Sequence, residues 1–296
     1  MKIFYLGIWF FKAKWLKKRN PLQSVVFISN QCNLRCKHCN VVETLHPLSR
    51  TFKEIKEALL YCYQQGSRFV DFEGGEPLLW KDGEKNISDL VDLAKNIGFF
   101  STTVTTNAQL PFGHCKADSL WVSMDGLQHF HDMIRGEGSF EKLEENVKKV
   151  NHSALNINMV INKHNYVNVE ETIQYVQASP YIKQIALNFH TPYKGTETLF
   201  LPWKEREETI DLIIRMKKKG YSVMNSVSGL KAMKKNNFPK HCWVTNFVLA
   251  DGTHLTECAG KTASICDHCG LCMAGEMYSM FTFKPDTVWA GLKVRM

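Results

Sequence analysis

Two groups of cysteines are the residues best suited to chemistry in this 296-residue chain, which has ten cysteines in all. The first group is Cys32, Cys36 and Cys39, with the spacing Cys-x3-Cys-x2-Cys. Three thiolates on one short loop can hold three irons of a [4Fe–4S] cluster and leave the fourth iron open to a substrate or cofactor. The alternative is a zinc site, with His38 or a distant cysteine as the fourth ligand.

The second group lies near the C-terminus and contains Cys242, Cys258, Cys266, Cys269 and Cys272. Five thiols are too few for two complete four-cysteine clusters, so this group predicts one additional [4Fe–4S] cluster. We expect Cys242 and Cys258 to be ligands together with two of the last three cysteines; if all three of those bind, one of Cys242 and Cys258 is free. The alternative is a structural zinc site similar to a zinc ribbon.

Strands alternate with helices over most of the chain. Runs rich in β-branched and aromatic residues predict strands at 24–29, 69–73, 99–106, 120–124, 155–161 and 182–189, and helical stretches follow at about 51–65, 86–97, 139–150, 168–178 and 203–219. This alternation predicts a parallel α/β sheet, open or closed into a barrel. Only residues 107–119 separate the third and fourth strands, which leaves room for one short helix at most. From about 221 the pattern becomes irregular.

Four further motifs stand at or just after the ends of predicted strands. They are Gly74-Gly75-Glu76-Pro77, Thr106-Asn107, Ser123-Met124-Asp125-Gly126 and His131-Asp132-Met133-Ile134-Arg135. Parallel α/β proteins bind their ligands at the carboxyl ends of strands. The two glycines would let the backbone approach a ligand closely. Taken singly, Asn107 and His131 are as well explained by a strand-end turn or a surface ion pair.

In order and spacing these motifs resemble the radical S-adenosylmethionine (radical SAM) family over about residues 22–190. The resemblance implies a partial (β/α)6 TIM-like barrel at 22–220, preceded by an arm at 1–21. The Cys-rich extension at 221–296 is similar to the auxiliary-cluster region called SPASM or twitch. The family pattern there is Gly-x4-Cys, whereas five residues separate Gly252 from Cys258 in this chain.

The resemblance also implies a set of site residues. Cys32, Cys36 and Cys39 would hold the catalytic cluster, and the SAM contacts would come from Gly74, Gly75, Glu76, Asn107, Ser123, Asp125 and Arg135. Asp125 would lie near the ribose, and Arg135 would meet the methionine carboxylate. A reduced cluster would cleave SAM to methionine and a 5′-deoxyadenosyl radical, with ferredoxin or flavodoxin as the reducing partner. Ala108 replaces the glycine that often follows Thr-Asn in relatives.

The charge of the chain is concentrated in the N-terminal arm. Lys and Arg number 37 against 29 Asp and Glu, and eight of these basic residues precede the first acidic residue, Glu43. A basic arm on a neutral body argues against nucleic acid as a partner. Aromatic residues beside lysines at 2–19 predict peripheral contact with an anionic membrane. The alternative is a segment that packs on the barrel with its lysines solvated.

The cellular location and the substrate are predicted from the cysteines and from a further resemblance. No secretory signal peptide is evident, so the cysteines predict a reducing cytoplasm, with the arm at the inner membrane face. Residues 182–231 are similar to the branch containing the hopanoid-biosynthesis adenosyltransferase, which favours a small or lipid-like metabolite as substrate. A peptide-modifying maturase is the second hypothesis, although residues 1–21 are too few for a fused leader-peptide-binding domain. A non-enzymatic, zinc-stabilised binding module is the third.

Overall fold

Eight strands form one sheet in the computed structural model of the chain, which describes residues 2–41 and 46–295. The strands are β1 (Gln23–Ser29), β2 (Phe69–Gly74), β3 (Ser101–Thr106), β4 (Ser119–Ser123), β5 (Leu155–Ile161), β6 (Gln184–Phe189), β7 (Thr245–Val248) and β8 (His254–Leu255). Their order is β6-β5-β4-β3-β2-β1-β7-β8, and all neighbours are parallel except β7 and β8. The carboxyl ends of seven strands therefore lie at one edge.

The helices mostly connect successive strands. They are α1 (Lys2–Lys14), α2 (Phe52–Gln65), α3 (Ile87–Ile97), α4 (His129–Arg135), α5 (Ser139–Lys148), α6 (Val169–Ala178), α7 (Trp203–Lys218), α8 (Val227–Lys235), α9 (Ala259–Thr262), α10 (Met273–Phe281) and α11 (Pro285–Arg295). Local signals fix several ends. The first turn of α2 is a capping box between Thr51 and Glu54, and the helix ends at Gly66 in the left-handed region at φ 116°.

The two faces of the sheet have different chemistry because side chains alternate along each strand. Val70 and Phe72 of β2 join the hydrophobic core that includes Ile55 and Leu59 of α2. Residues of the opposite alternation are mixed: Asp71, Glu73, Thr105, Asn158 and Asn188 are polar, whereas Phe27, Trp121 and Val160 share their face and are apolar. The helices therefore cover an apolar outer face, and the interior face of the sheet carries both polar and apolar side chains.

A smaller core lies at the amino-terminal end of the strands. Trp9 and Ala13 on the inner face of α1 pack in a cluster with Phe69 at the start of β2 and Val244 just before β7. Trp9 Nε1–H donates to the carbonyl of Asn20 at 2.8 Å. Helix α1 thus lies at the opposite end of the strands from the first cysteine loop, which follows the carboxyl end of β1.

The predicted α/β architecture is confirmed, and the structure is consistent with a partial TIM-like barrel. The six predicted strands and five predicted helices agree with the structure to within two residues at each end. The described residues between β3 and β4 contain no helix. Strands β7 and β8 were not predicted, because strands of four and two residues are too short to show an alternating pattern.

Candidate active site

The first cysteine loop is clamped onto the end of β2. The N–H of Gly75 donates to the carbonyl of Ser29 at 2.8 Å, and the N–H of Glu76 donates to the carbonyl of Gln31 at 2.7 Å. A Cβ on Gly75 would lie 1.8 Å from the Gln31 oxygen, and one on Gly74 would lie 2.0 Å from the Ser29 oxygen. The two glycines are therefore required by the chain's own backbone, and the close approach to a ligand expected from the sequence remains a prediction.

The three thiols of this loop are free and partly exposed. Backbone N–H groups point at two of them: Leu34 donates to Cys32 Sγ at 3.4 Å, and Val41 donates to Cys39 Sγ at 3.4 Å. The Asn107 amide after β3 lies 3.6 Å from Cys32 Sγ. Sulfurs with donors directed at them suit an iron–sulfur cluster, because such hydrogen bonds stabilise and tune the sulfur ligands.

A buried ion pair lies beside the thiol of Cys36. Arg135 Nη1 is 3.8 Å from Cys36 Sγ, and Arg135 Nε donates to Asp125 Oδ2 at 2.7 Å. Asp125 is 0% exposed, and its other oxygen accepts from the N–H of Val160 at 2.9 Å. Burial opposes the charge of Asp125, but the Arg135 guanidinium holds the pKa of this carboxyl below its ordinary value. Burial raises the pKa of the Cys36 thiol to about 11, and Arg135 opposes that rise.

Two imidazoles adjoin the ion pair and are neutral. His38 Nδ1 lies 3.7 Å from Asp125 Oδ2, and burial lowers the pKa of His38 to about 4 although Asp125 opposes the shift. His131 accepts from the N–H of Asp125 at 3.2 Å, and burial and Arg135 lower its pKa to about 4. Arg135 is therefore the cation that balances Asp125 at neutral pH.

Glu76 braces the end of β2 against the end of β3. Its buried carboxylate accepts from the Thr106 hydroxyl at 2.7 Å, the Asn107 N–H at 2.7 Å and the Leu78 N–H at 3.1 Å. Burial raises the pKa of Glu76 in spite of these bonds. Ala108, which follows Asn107, has φ 57°, a left-handed conformation that explains why glycine suits this position.

The concave interior below these strand ends carries polar residues that sequence reasoning did not single out. The Thr105 hydroxyl donates to Asp71 at 3.2 Å and lies 3.5 Å from Glu73, and burial raises the pKa of Glu73. Asn188 Nδ2 donates to Asn158 Oδ1 at 2.9 Å, opposite Ser123 at the end of β4. The sequence did contain a signal for this part of the interior: Asp71 and Glu73 are two positions apart, which puts both carboxylates on one face of β2.

The second cysteine group is brought together from three separate segments. The thiols of Cys242 and Cys258 interact directly, which raises the pKa of Cys242 and lowers that of Cys258. Cys266 and Cys269 act on the same pair electrostatically. Burial raises the pKa of the adjacent Tyr193 to about 12, and the same four thiols add to that rise.

Cys272 adjoins Cys269 but is not among the thiols that act on Cys242 or Tyr193. It is buried, and its charged neighbours are Arg206, Glu276 and Cys269. Its N–H donates to Asn188 Oδ1 at 2.8 Å, so it is tied to the barrel interior. Gly270 also docks this segment on β6, because its carbonyl accepts from the N–H of Phe189 and its Cβ position would lie 1.9 Å from the Phe189 oxygen.

All eight cysteines of the two groups have free thiols, as do Cys62 and Cys115, which are buried outside both groups. Within residues 2–41 and 46–295, no three His, Cys, Asp or Glu side chains converge closely enough to hold a single metal ion. A [4Fe–4S] cluster makes a different demand, because each thiolate binds a different iron and the ligands surround the cluster. Both cysteine groups supply free thiols, which are the ligands that such a cluster binds.

Comparison with known proteins agrees with this geometry. A family model described as the radical SAM superfamily matches residues 26–177. The probable GTP 3′,8-cyclase of Methanocella arvoryzae is 28% identical over 184 residues, which cover 57% of this chain and 58% of the cyclase. The sporulation killing factor maturation protein SkfB of Bacillus subtilis is 22% identical over 160 residues, which cover 52% of this chain and 39% of SkfB. The chain thus spans less than two thirds of the length of these relatives.

Solved structures share the fold. The crystal structure of Streptococcus suis SuiB bound to S-adenosylmethionine superposes with a TM-score of 0.65 and 17% sequence identity, covering 83% of this chain and 63% of SuiB. Another SuiB structure is bound to the precursor peptide SuiA. At this level of identity the likeness is one of architecture alone.

Proposed function

This chain belongs to the radical SAM superfamily. We propose that it is an enzyme that uses a [4Fe–4S] cluster and SAM, and that Cys32, Cys36 and Cys39 hold this cluster. The observation that carries the proposal is that three free thiols on one loop lie at the carboxyl edge of the sheet, with donors directed at their sulfurs. When bound and reduced, the cluster supplies the electron that cleaves SAM and generates the 5′-deoxyadenosyl radical.

The strand ends around the loop are the proposed SAM contacts. The N–H groups of Gly75 and Glu76 are occupied by the carbonyls of Ser29 and Gln31, and the Glu76 carbonyl accepts from Leu79, so the Gly75 carbonyl is the proposed partner of the methionine ammonium group. Arg135 meets the methionine carboxylate from its position beside Cys36, and Asp125 acts by orienting Arg135. Glu76 acts in the same indirect way through Asn107, and Ser123 supplies a hydroxyl near the ribose.

A second [4Fe–4S] cluster is proposed in the C-terminal region. Cys242, Cys258, Cys266 and Cys269 are its four ligands, because these thiols lie together around Tyr193. We leave Cys272 out of the proposed set because its thiol is not among those that act on Tyr193 or on Cys242.

We favour a small polar metabolite as the substrate. The barrel interior presents Asp71, Glu73 and Thr105 on one side and Asn158 and Asn188 on the other. Buried or half-buried carboxylate, hydroxyl and amide groups of this kind can exchange their mutual hydrogen bonds for bonds to a substrate with several polar groups. The lipid-like substrate considered from the sequence remains a further candidate, because Phe27, Trp121 and Val160 lie on the same face. A peptide substrate is the second candidate, favoured by the likeness to SkfB and SuiB.

Electron delivery is proposed to come from ferredoxin or flavodoxin at the cysteine loop. Arg35 and Lys37 are exposed on this loop, between the proposed ligands. Exposed cations of this kind complement an acidic electron carrier and steer its approach.

The outer face of α1 is the proposed contact with an anionic membrane. Phe4, Phe11 and Trp15 project from this face and are 75%, 53% and 54% exposed. Six basic residues lie along the same segment, and no acidic residue accompanies them: Lys2, Lys12, Lys14, Lys17, Lys18 and Arg19. Exposed aromatics beside cations suit an anionic lipid surface. No helix among the described residues is long and apolar enough to span a membrane.

This surface lies at the far end of the strands from the cysteine loop, so the proposed membrane contact tethers the enzyme and leaves its active-site edge facing away from the lipid. We propose a cytoplasmic location at the inner membrane face, because all ten cysteines are free thiols, as in a reducing compartment.

Vesicle binding tests the tether. The triple variant F4S/F11S/W15S should lose at least several-fold in binding to phosphatidylglycerol vesicles, whereas L60S/V167S/Y181S removes three exposed apolar side chains elsewhere and should bind as the parent does. Deletion of residues 2–19 is a poorer test, because it also removes the buried Trp9. Equal binding by the first variant would contradict the tether, as would a change in its oligomeric state without a change in vesicle binding.

Anaerobic reconstitution of a Cys36→Ala variant tests the enzyme itself. The parent protein should contain about eight irons, and dithionite with SAM should yield 5′-deoxyadenosine. Cys36→Ala should lose about half of the iron and all of the product, while Cys115→Ala, a buried cysteine outside both groups, should retain both. Product formation by Cys36→Ala would overturn the assignment of the first cluster. About four irons in the parent, with product, would overturn the second cluster alone.

A further inference from the structure

Arg206 of α7 is a buried cation without an acidic partner. It is 0% exposed, and no salt bridge among the described residues includes it. Its Nη2 donates to the carbonyl of Cys269 at 2.9 Å and lies 3.4 Å from the carbonyl of Met233. Its Nε and Nη1 have no hydrogen-bond partner among the described residues. An isolated charge in such a position is strongly unfavourable unless a negative group compensates it.

The surroundings of Arg206 narrow the choice of that negative group. The guanidinium carbon lies 4.7 Å from the ring centres of both Phe189 and Trp203, so aromatic faces shield it from water. The titratable groups nearest to it are the thiols of Cys272 and Cys269. Burial lowers the pKa of Arg206, and these thiols oppose the shift. Arg135, the other buried arginine beside a cysteine group, differs because it has Asp125 as its partner.

We propose that Arg206 is a positioning residue for the second cluster, which it stabilises by compensating the negative charge of the cluster and its thiolate ligands. The inference rests on the second cluster of the proposed function. Arginine suits the role because its guanidinium is always charged, stacks on aromatic rings and is weakly hydrated. Through Nη2 it also fixes the backbone of Cys269, one of the proposed ligands.

A consequence for electron transfer distinguishes this role from a purely structural one. The cluster gains negative charge when it is reduced, so a fixed cation nearby stabilises the reduced form more than the oxidised form. Arg206 should therefore raise the reduction potential of the second cluster. A residue that only held the loop in position would change cluster content without changing the potential of the clusters that do form.

The test compares Arg206→Met and Arg206→Lys in the full chain. Both are made in a Cys32→Ala/Cys36→Ala/Cys39→Ala background, so that only the second cluster contributes iron and an electron paramagnetic resonance signal. Lys234→Met is the matched control, because it also removes a cation, but one that is partly exposed and paired with Asp211. Iron and sulfide are counted, and the potential is measured by a redox titration followed by resonance spectroscopy.

Arg206→Met should shift the potential to more negative values, whereas Arg206→Lys and Lys234→Met should stay close to the parent. If Arg206→Met does not retain a cluster, retention in Arg206→Lys supports charge compensation, and loss in both variants contradicts it. Equal potentials in all variants would also overturn the proposal. Absence of iron in the background protein with Arg206 intact would instead remove the second cluster itself, and the role of Arg206 with it.

Discussion

The buried charges of Asp125 and Arg135 are the features of the active-site edge at which a single substitution should have a large effect. Asp125 and Arg135 are both nearly inaccessible to solvent, and each owes its ionised state to the other. Burial alone would favour a neutral carboxyl at Asp125, while the adjacent guanidinium holds its pKa below the ordinary value. The pair also touches the first cysteine group through Arg135, so its loss would affect both stability and the site.

Removal of Arg135 alone should therefore lower the free energy of unfolding more than removal of both Asp125 and Arg135. Arg135→Leu leaves the Asp125 carboxylate buried without a counterion, which should lower the free energy of unfolding by about 3–5 kcal/mol. The double variant Asp125→Asn/Arg135→Leu should lose less than Arg135→Leu alone. Urea unfolding of the anaerobic parent, of Arg135→Leu, of Asp125→Asn and of the double variant completes a double-mutant cycle. Additive losses from the two single changes would show that the pair is not energetically coupled.

At the level of elements, the junction between β1 and β2 determines where the cysteine loop lies. Backbone hydrogen bonds from Gly75 and Glu76 hold the loop directly against the end of β2. The contact is so close that no side chain can stand between the two segments. Two neighbouring strands thus orient the proposed cluster ligands, and the loop does not depend on its own flexible residues for its position.

Gly75→Ala should consequently displace the loop. The added Cβ would lie 1.8 Å from the Gln31 oxygen, a backbone atom that cannot rotate away. We expect most of the iron of the first cluster to be lost and 5′-deoxyadenosine formation to fall at least tenfold. Gly113→Ala is the control, since its Cβ would meet nothing closer than 3.8 Å. Full iron content in Gly75→Ala would contradict this account of the junction.

At the scale of the whole molecule, the C-terminal region is an integral part of the barrel. It supplies β7 beside β1, docks Gly270 on β6 and packs α8, α10 and α11 together. Glu276 of α10 lies at this last junction, where it accepts from the N–H of Ser226 at 2.8 Å. Burial raises the pKa of Glu276 to about 7 from an ordinary value of 4.5, although the bond to Ser226 opposes the rise.

The stability of the protein should therefore contain a pH-dependent contribution from Glu276. Between its ordinary pKa and about 7 the folded state retains a proton that the unfolded state releases, so this contribution falls as pH rises. The Glu276→Gln variant has no carboxyl group at this position and should lack this pH-dependent contribution. The difference in unfolding free energy between the parent and Glu276→Gln should fall by about 3 kcal/mol from pH 5 to pH 8, measured by urea unfolding under anaerobic conditions. A difference that stays constant across that range would contradict an ionising Glu276.

The sequence by itself determined the parts of this protein that depend on local order along the chain. The cysteine spacing, the motifs at the strand ends and the periodicity of strands and helices led to the radical SAM superfamily and to the α/β architecture. These features could be predicted because hydrophobic periodicity and motif spacing involve residues only a few positions apart. The same reasoning missed β7 and β8, which are too short for such a pattern.

Only the tertiary structure decided how residues far apart in the chain meet. The pairing of Arg135 with Asp125, the grouping of Cys242 and Cys258 with Cys266 and Cys269, and the burial of Arg206 against the Cys269 carbonyl all belong to this class. Each depends on burial and on close packing of separate elements. A polar residue has the same identity in the sequence whether it faces solvent, a substrate or another side chain, and folding alone selects among these environments.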